Sequence, residues 1–297
     1  TALAFTEFHQ PKLNRQHTQI HNSYRVNLGM FVVNSLIVSL FSLTGLVLVL
    51  DHNTGKGWLH GMPNSVSKTA LSFLLLDFLL YAWHRICHRF DGLWMFHKVH
   101  HNDPYLNVST AFRIHIAELV ITTVLKSAYI IMLGIDMTVV FAYETAYPLL
   151  VMFHHTNISF PGEKWLGQII VTPHLHRTHH SIERREHDSN YGAIFSIWDR
   201  IFLSRKDIEP AGIGIRGESP QSLWGLVKFG FISNVPPTVP VPANACQVSV
   251  NIHAMIAEAA YYKAEKRAFS PGYEIYDWLE AKKEILKQVY GDRCMNC

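Results

Sequence analysis

The chain has 297 residues, of which 48% are apolar and only 16% charged, and its formal net charge is +3. That apolar fraction is high for a soluble protein and points to membrane residence. The small basic excess, with no basic helix carrying interleaved aromatics, excludes nucleic acid as a partner.

Residues 1–26 read as a cytoplasmic N-terminal segment. Arg25 and Asp51 then bracket an uncharged stretch that includes Leu28 to Leu50, long enough as a helix to cross a bilayer core of about 30 Å. A removable signal peptide calls for a shorter apolar run nearer the terminus and a small-residue cleavage site, so a retained membrane helix is expected. A second run, Thr69 to Trp83, carries only Asp77 and leads straight into His84 and His88. Asp77, Tyr81, His84 and His88 share one helical face. An acid inside an apolar span is costly unless it is used, so Asp77 is expected to orient an imidazole through its second nitrogen; a helix-packing acid near the interface is the alternative. Two further apolar stretches, Ile116 to Gly134 and Met137 to Phe153, contain Glu118, Lys126 and Glu144, and read as a hairpin joined at Asp136.

Three histidine clusters dominate the chain: His84-x3-His88, His97-x2-His100-His101 and His176-x2-His179-His180. Of 19 histidines, 13 fall between His84 and His187, so the enrichment is regional and not a compositional habit. Residues three and four apart share one helical face, so each cluster can aim two or three imidazoles at one point. Neutral imidazole suits iron, zinc and copper alike. The Glu of a His-Glu-x-x-His zinc protease is missing, as are the Glu-x-x-His pairs of soluble di-iron bundles. More histidines are present than one ion can hold, and a two-metal centre is the economical reading. For all the histidines to lie on one side of the membrane, the chain must cross an even number of times between the second and third clusters.

Lys12, Arg15 and Arg25 precede the first span and Arg85, Arg89, Lys98 and Arg113 follow the second, against Lys56 and Lys68 between them. The positive-inside rule then places the N-terminus, the clusters and the C-terminus in the cytoplasm. The cysteines Cys87, Cys246, Cys294 and Cys297 form no paired framework and fit a reducing compartment. Beyond residue 236, closely spaced prolines mark a stiff linker over 236–248, followed by a module over 249–297 with amphipathic helices at 249–268 and 277–290.

The residues flanking the clusters carry a resemblance. Asp77-x3-Tyr81-x2-His84-Arg85-x2-His88, Leu93-Trp94-x-Phe96-His97-Lys98-Val99-His100-His101 and Ser109-Thr110-Ala111-x-Arg113-x-His115-x2-Glu118 come first. Phe153-x-His155-x-Asn157, Thr172-Pro173-x2-His176-Arg177-x-His179-His180-Ser181, Asn190-Tyr191-Gly192 and Trp198-Asp199-Arg200-Ile201-Phe202 follow in order. Together, over about residues 70 to 205, they resemble the fatty acid hydroxylase and sterol desaturase superfamily. The usual Gly-Thr after the last motif reads Leu203-Ser204 here.

The resemblance implies an all-α integral membrane bundle of about four transmembrane helices over 27–235, with a cytoplasmic histidine-rich helical cap and a small C-terminal helical module. It implies a non-haem di-iron oxidoreductase that hydroxylates a lipid C–H bond with O2. Desaturation at the same kind of centre and non-enzymatic metal binding are the alternatives. The implied metal ligands are His84, His88, His97, His100, His101, His115, His155, His176, His179 and His180. Asp77, Tyr81, Asn157, Asn190 and Asp199 are expected to position them; His154, His174 and His187 are extra. Two iron ions are the expected cofactor, with zinc as a contaminant of purified samples. No haem or dinucleotide signature is present, so electrons are expected from a separate ferredoxin, cytochrome or reductase. Phe269 to Ile285 resembles a small bacterial domain of unknown function, which implies the inner membrane of a bacterium.

Overall fold

The computed structural model describes residues 2–13, 16–52, 57–217, 219–232, 252–267 and 269–290. The proline-rich stretch 236–248, Arg15, Lys56, Cys246, Cys294 and Cys297 lie outside them. The chain divides into two units, Thr1–Pro236 and Pro237–Cys297. Among the described residues there are helices and two isolated antiparallel bridges, Ile170 with Phe195 and Ser181 with Ile213, but no strand.

In the first unit, α1 (Ala2–His9) precedes the long α2 (His17–His52), and α3 (Val66–Arg89) runs almost directly into α4 (Asp91–His101). Phe90, with extended backbone, separates the last two. Ser65 opens α3 by accepting a hydrogen bond from the Lys68 amide at 3.3 Å, leaving the Lys68 ammonium to reach Asp136 at 3.2 Å. After a short 3-10 turn (Val108–Phe112) come the hairpin partners α5 (Ile116–Leu133) and α6 (Met137–His154). Gly134 ends α5 in the left-handed conformation that lacks a steric cost only for glycine, and its amide bonds back to Ile130. The turn around Gly57 packs so closely on this corner that a side chain there would fall 2.4 Å from the Gly134 nitrogen. Short helices complete the unit: α7 (Glu163–Leu166), α8 (Pro173–His179), α9 (Arg184–His187), α10 (Ile197–Ile201) and α11 (Leu223–Phe229).

Two stripes hold the unit together. On α3, Leu76 and Leu80 pack with Ile130, Leu133, Val139, Val140 and Tyr143 of the hairpin and with Ile194. On α2, Ser23, Asn27 and Asn34 recur at helical spacing and are buried. Ser23 and Asn27 donate to Asp103 at 2.8 and 2.9 Å, and Asn34 donates to the Ile114 carbonyl at 2.8 Å. Polar groups at those positions thereby dock α2 onto the segment between α4 and α5.

Helices α3 and α5 are long and apolar enough to cross a membrane, which supports a membrane protein by length and composition. In α5 only Ile130 and Leu133 are fully buried, which leaves the helix with partly exposed apolar surface for lipid contact.

The second unit is an antiparallel pair, α12 (Ile252–Lys266) and α13 (Glu274–Tyr290). Ile256, Ala281 and Ile285 form its core. Lys263 pairs with Glu280 and Glu284, and Arg267 with Asp277. Helix α13 starts three residues before the predicted 277, where the Glu274 carboxylate accepts the Gly272 amide at 3.1 Å.

Candidate metal centre

Four chain segments deliver the histidines: the end of α3 (His84, His88), the end of α4 (His97, His100, His101), the C-terminus of α6 (His155), and α8 with its cap (His176, His179, His180). They form two groups, His84, His88, His97, His101 and His179 in one and His100, His155, His176 and His180 in the other. Within each, the candidate ligand atoms lie within 4.8 Å of one another.

Both triplets are split. On α4, His97 and His101 enter the first group and His100 the second; on α8, His176 and His180 enter the second and His179 the first. Residues i and i+4 lie about 40° apart around a helix, whereas i+3 is displaced to the other side of i. The same spacing that keeps two imidazoles together therefore hands the third to a neighbouring centre.

Hydrogen bonds set the tautomers. The Nδ1 atoms of His84, His155 and His179 donate to the carbonyls of Tyr191, Val151 and Ser189 at 2.9, 2.7 and 2.7 Å. His97 Nδ1 donates to Glu118 at 2.7 Å, and His88 Nδ1 lies 3.3 Å from Asp188. A neutral ring that donates through Nδ1 carries its lone pair on Nε2, and these lone pairs face inward. The Nε2 atoms of His88, His101 and His179 are buried without any hydrogen-bond partner.

The second group tests the fit of a cation. His155 Nε2 lies 3.1 Å from His100 Nε2 and 3.0 Å from His176 Nε2, which lies 3.1 Å from His180 Nε2. His176 has at most one hydrogen on that atom, so it cannot satisfy both neighbours. Nitrogens bonded to one ion at about 2.1 Å sit about 3.0 Å apart at right angles and about 3.4 Å apart in a tetrahedron, and a shared cation resolves the conflict. Burial, then the neighbouring imidazoles, holds His101, His176 and His180 well below the usual histidine range. They stay neutral, as ligands must. The donor set fits a metal pair.

Two of the expected residues meet other partners. His115 joins neither group. It caps α5, accepting the Ala117 amide on Nδ1 at 3.1 Å and donating from Nε2 to the Val227 carbonyl at 3.0 Å, so neither nitrogen is spare. Asp77 touches no imidazole: its carboxylate accepts from Tyr143 Oη, the Ile194 and Phe195 amides and Trp198 Nε1 at 2.8–3.1 Å. It fastens the 190–198 loop, whose Tyr191 carbonyl meets His84. Asp199, Asn190 and Asn157 also act through the backbone, whereas Tyr81 acts through the Ser204 hydroxyl. Asp199 holds the Tyr191 and Gly192 amides at 2.8 Å, Asn190 ties Leu175 to Lys206, Asn157 holds Leu13, and Tyr81 bonds Ser204 at 2.9 Å.

Among the extra histidines, His154 stacks on His176, His174 pairs with Asp207 at 2.7 Å, and His187 bonds the Ser181 carbonyl and lies near His88 and Asp188. The unforeseen member is Glu118. It interrupts an apolar run just as Asp77 does, so the rule applied to Asp77 would have singled it out.

A model of the fatty acid hydroxylase family matches residues 69–204, a segment that contains every histidine of both groups. Residues 69–204 are therefore similar to the fatty acid hydroxylase family. The chain is 35% identical over 136 residues to an alkylglycerol monooxygenase of Danio rerio, covering 44% of this chain and 29% of that protein. It is 30% identical over 154 residues to the ornithine lipid hydroxylase OlsE of Rhizobium tropici, covering 51% and 46%. The human alkylglycerol monooxygenase is 32% identical over 133 residues, covering 44% and 29%. The matches thus span less than half the length of these relatives. Residues 253–287 match a protein family of unknown function, DUF2934. No solved structure matches the chain.

Proposed function

We propose that the chain hydroxylates a C–H bond of a membrane lipid at a pair of histidine-held iron ions. The observation that carries this reading is the meeting of the two histidine groups with an apolar cavity. A space of about 160 Å³ between α3, α5 and α6 is bounded by His84, His97, His100, His155 and His176 at one end and by Leu80, Trp83, Ile114, Leu119 and Val151 along its walls. Relatives named as an alkylglycerol monooxygenase and an ornithine lipid hydroxylase support a lipid substrate.

In this reading the ligands are the nine grouped histidines. Bound iron would supply the activation of O2 for insertion into an unreactive C–H bond. The chain's own contribution is positional. The Tyr191, Val151 and Ser189 carbonyls keep the Nε2 lone pairs turned inward, and Glu118 balances charge behind His97. The apolar walls exclude water and hold an alkyl chain beside the imidazoles. Electrons come from a separate ferredoxin, cytochrome or reductase. Helix α2 through its 28–50 run, α3, α5 and α6 make four crossings, with the histidines and both termini on the cytoplasmic face of a bacterial inner membrane.

The test is lipid mass spectrometry on cells expressing the intact chain or His179→Ala under oxygen-18 gas. One labelled oxygen gained by a lipid only with the intact chain is expected. Loss of two hydrogens without label would replace hydroxylation by desaturation. Exchangeable zinc with no lipid product would favour a metal-binding role instead.

A further inference from the structure

A second cavity, of about 460 Å³, lies on the other side of α3 from the cavity described above. Its size suits a small-molecule ligand. One wall is a face of α3, from Phe78 through Ala82 to Ile86, with Phe90 just past the helix end, and Phe202 lines it from the α10 segment. The helical part of that wall climbs eight residues, about 12 Å at the helical rise. Three guanidiniums, Arg85, Arg89 and Arg184, line the same cavity against one carboxylate, Asp188. Arg184 pairs with Asp188 at 3.3 Å and Arg85 bonds Tyr81 at 3.1 Å, while Arg89 has no ion pair among the described residues.

The cavity is therefore apolar toward the middle of α3 and cationic at the helix's C-terminal end. With α3 as a crossing, the lower wall sits in hydrocarbon and the arginines sit at headgroup level, where guanidinium meets phosphate in a matching fork. Phe90 of the lining is exposed, as are Ile201 and Leu203 on either side of Phe202 in the chain, Leu203 at 92%, apolar surface of the kind that marks a membrane or protein contact. An acidic protein reaches the rim but not a trough that descends to Phe78.

We propose that this cavity binds an anionic glycerophospholipid, its phosphodiester on Arg85, Arg89 and Arg184 and one acyl chain along the Phe78–Ile86 face of α3. The inference rests on α3 crossing the membrane and needs no turnover. Bound there, the lipid would seal the side of the first histidine group, since His88 and Tyr191 form part of the same lining.

The experiment is native mass spectrometry of the purified full chain, with its metal, in nonionic detergent containing equal phosphatidylglycerol and phosphatidylcholine of identical acyl chains. Retention of one phosphatidylglycerol per chain in preference to phosphatidylcholine is expected. The preference should fall about fivefold for each guanidinium removed in Arg89→Gln and Arg184→Gln, both at exposed positions, and stay unchanged in Arg25→Gln. Ala82→Phe, which fills the trough, should reduce retention of both lipids. Equal retention by the intact chain, a preference unchanged in the double variant, or displacement by equimolar inorganic phosphate would overturn the proposal; the first two would leave the rim as a landing for an acidic protein. Binding is read without a product, so failure of the hydroxylation test does not affect it.

Discussion

Glu118 offers the sharpest test of how the chain holds metal. Its carboxylate accepts the Nδ1 hydrogen of His97 at 2.7 Å, and the two side chains are 12% and 5% exposed. Two substitutions separate charge from hydrogen bonding. Glu118→Gln keeps a carbonyl oxygen within reach of His97, so the ring orientation survives and only the charge behind the ligand is lost. Removing such a partner usually costs 10- to 100-fold in metal affinity, and the amide should fall near the lower limit, about tenfold. Glu118→Ala also leaves a buried N–H with no acceptor, a further cost of about 1–3 kcal/mol, so affinity should fall about a hundredfold or more. The assay is a competitive chelator titration of iron or zinc on the purified chain, with a thermal melt of each variant. Affinity equal to the intact chain in Glu118→Ala would refute the reasoning, because His97 would then need no anchor.

His115 and Glu7 give two further predictions. His115→Ala should keep the full metal content and lose about 1 kcal/mol of stability as a missing helix cap, with His115→Asn restoring most of it; metal analysis and a melt read both, and loss of metal would return His115 to the ligand set. Burial pushes Glu7 up to about 7 from 4.5, against the lowering effect of the Val108 amide. Between those values the folded chain binds a proton that the unfolded chain has released, so stability falls as pH rises from about 4.5 to 7 and is level above it. Glu7→Gln should remove this dependence, up to about 3 kcal/mol, in denaturant titrations at pH 5 and pH 8; an unchanged difference between the two pH values would count against it.

Most of the helical framework was legible in the sequence. The Thr69–Trp83 run and the hairpin joined at Asp136 appear as α3, α5 and α6, because apolar length and punctuation by glycine and aspartate are local properties. Asp77 shows where local reading stops. An acid in an apolar span announces a partner but not which one, and here the partners are backbone amides more than a hundred residues away. His115 is a different case: its place in a motif says nothing about whether both ring nitrogens are already engaged, as they are here by Val227 and Ala117.

By itself the sequence determined which residues can bind metal and which of them lie on a common helical face. Spacing is an angle around one helix, and that angle is set by the backbone. Only the tertiary structure decided how the histidines divide into two groups, since the distance between His100 and His155 depends on how α4 packs beside α6. It alone also decided what holds the rings. The Nδ1 atoms of His84, His155 and His179 meet main-chain carbonyls, which every residue carries alike and which no pattern of side chains reveals.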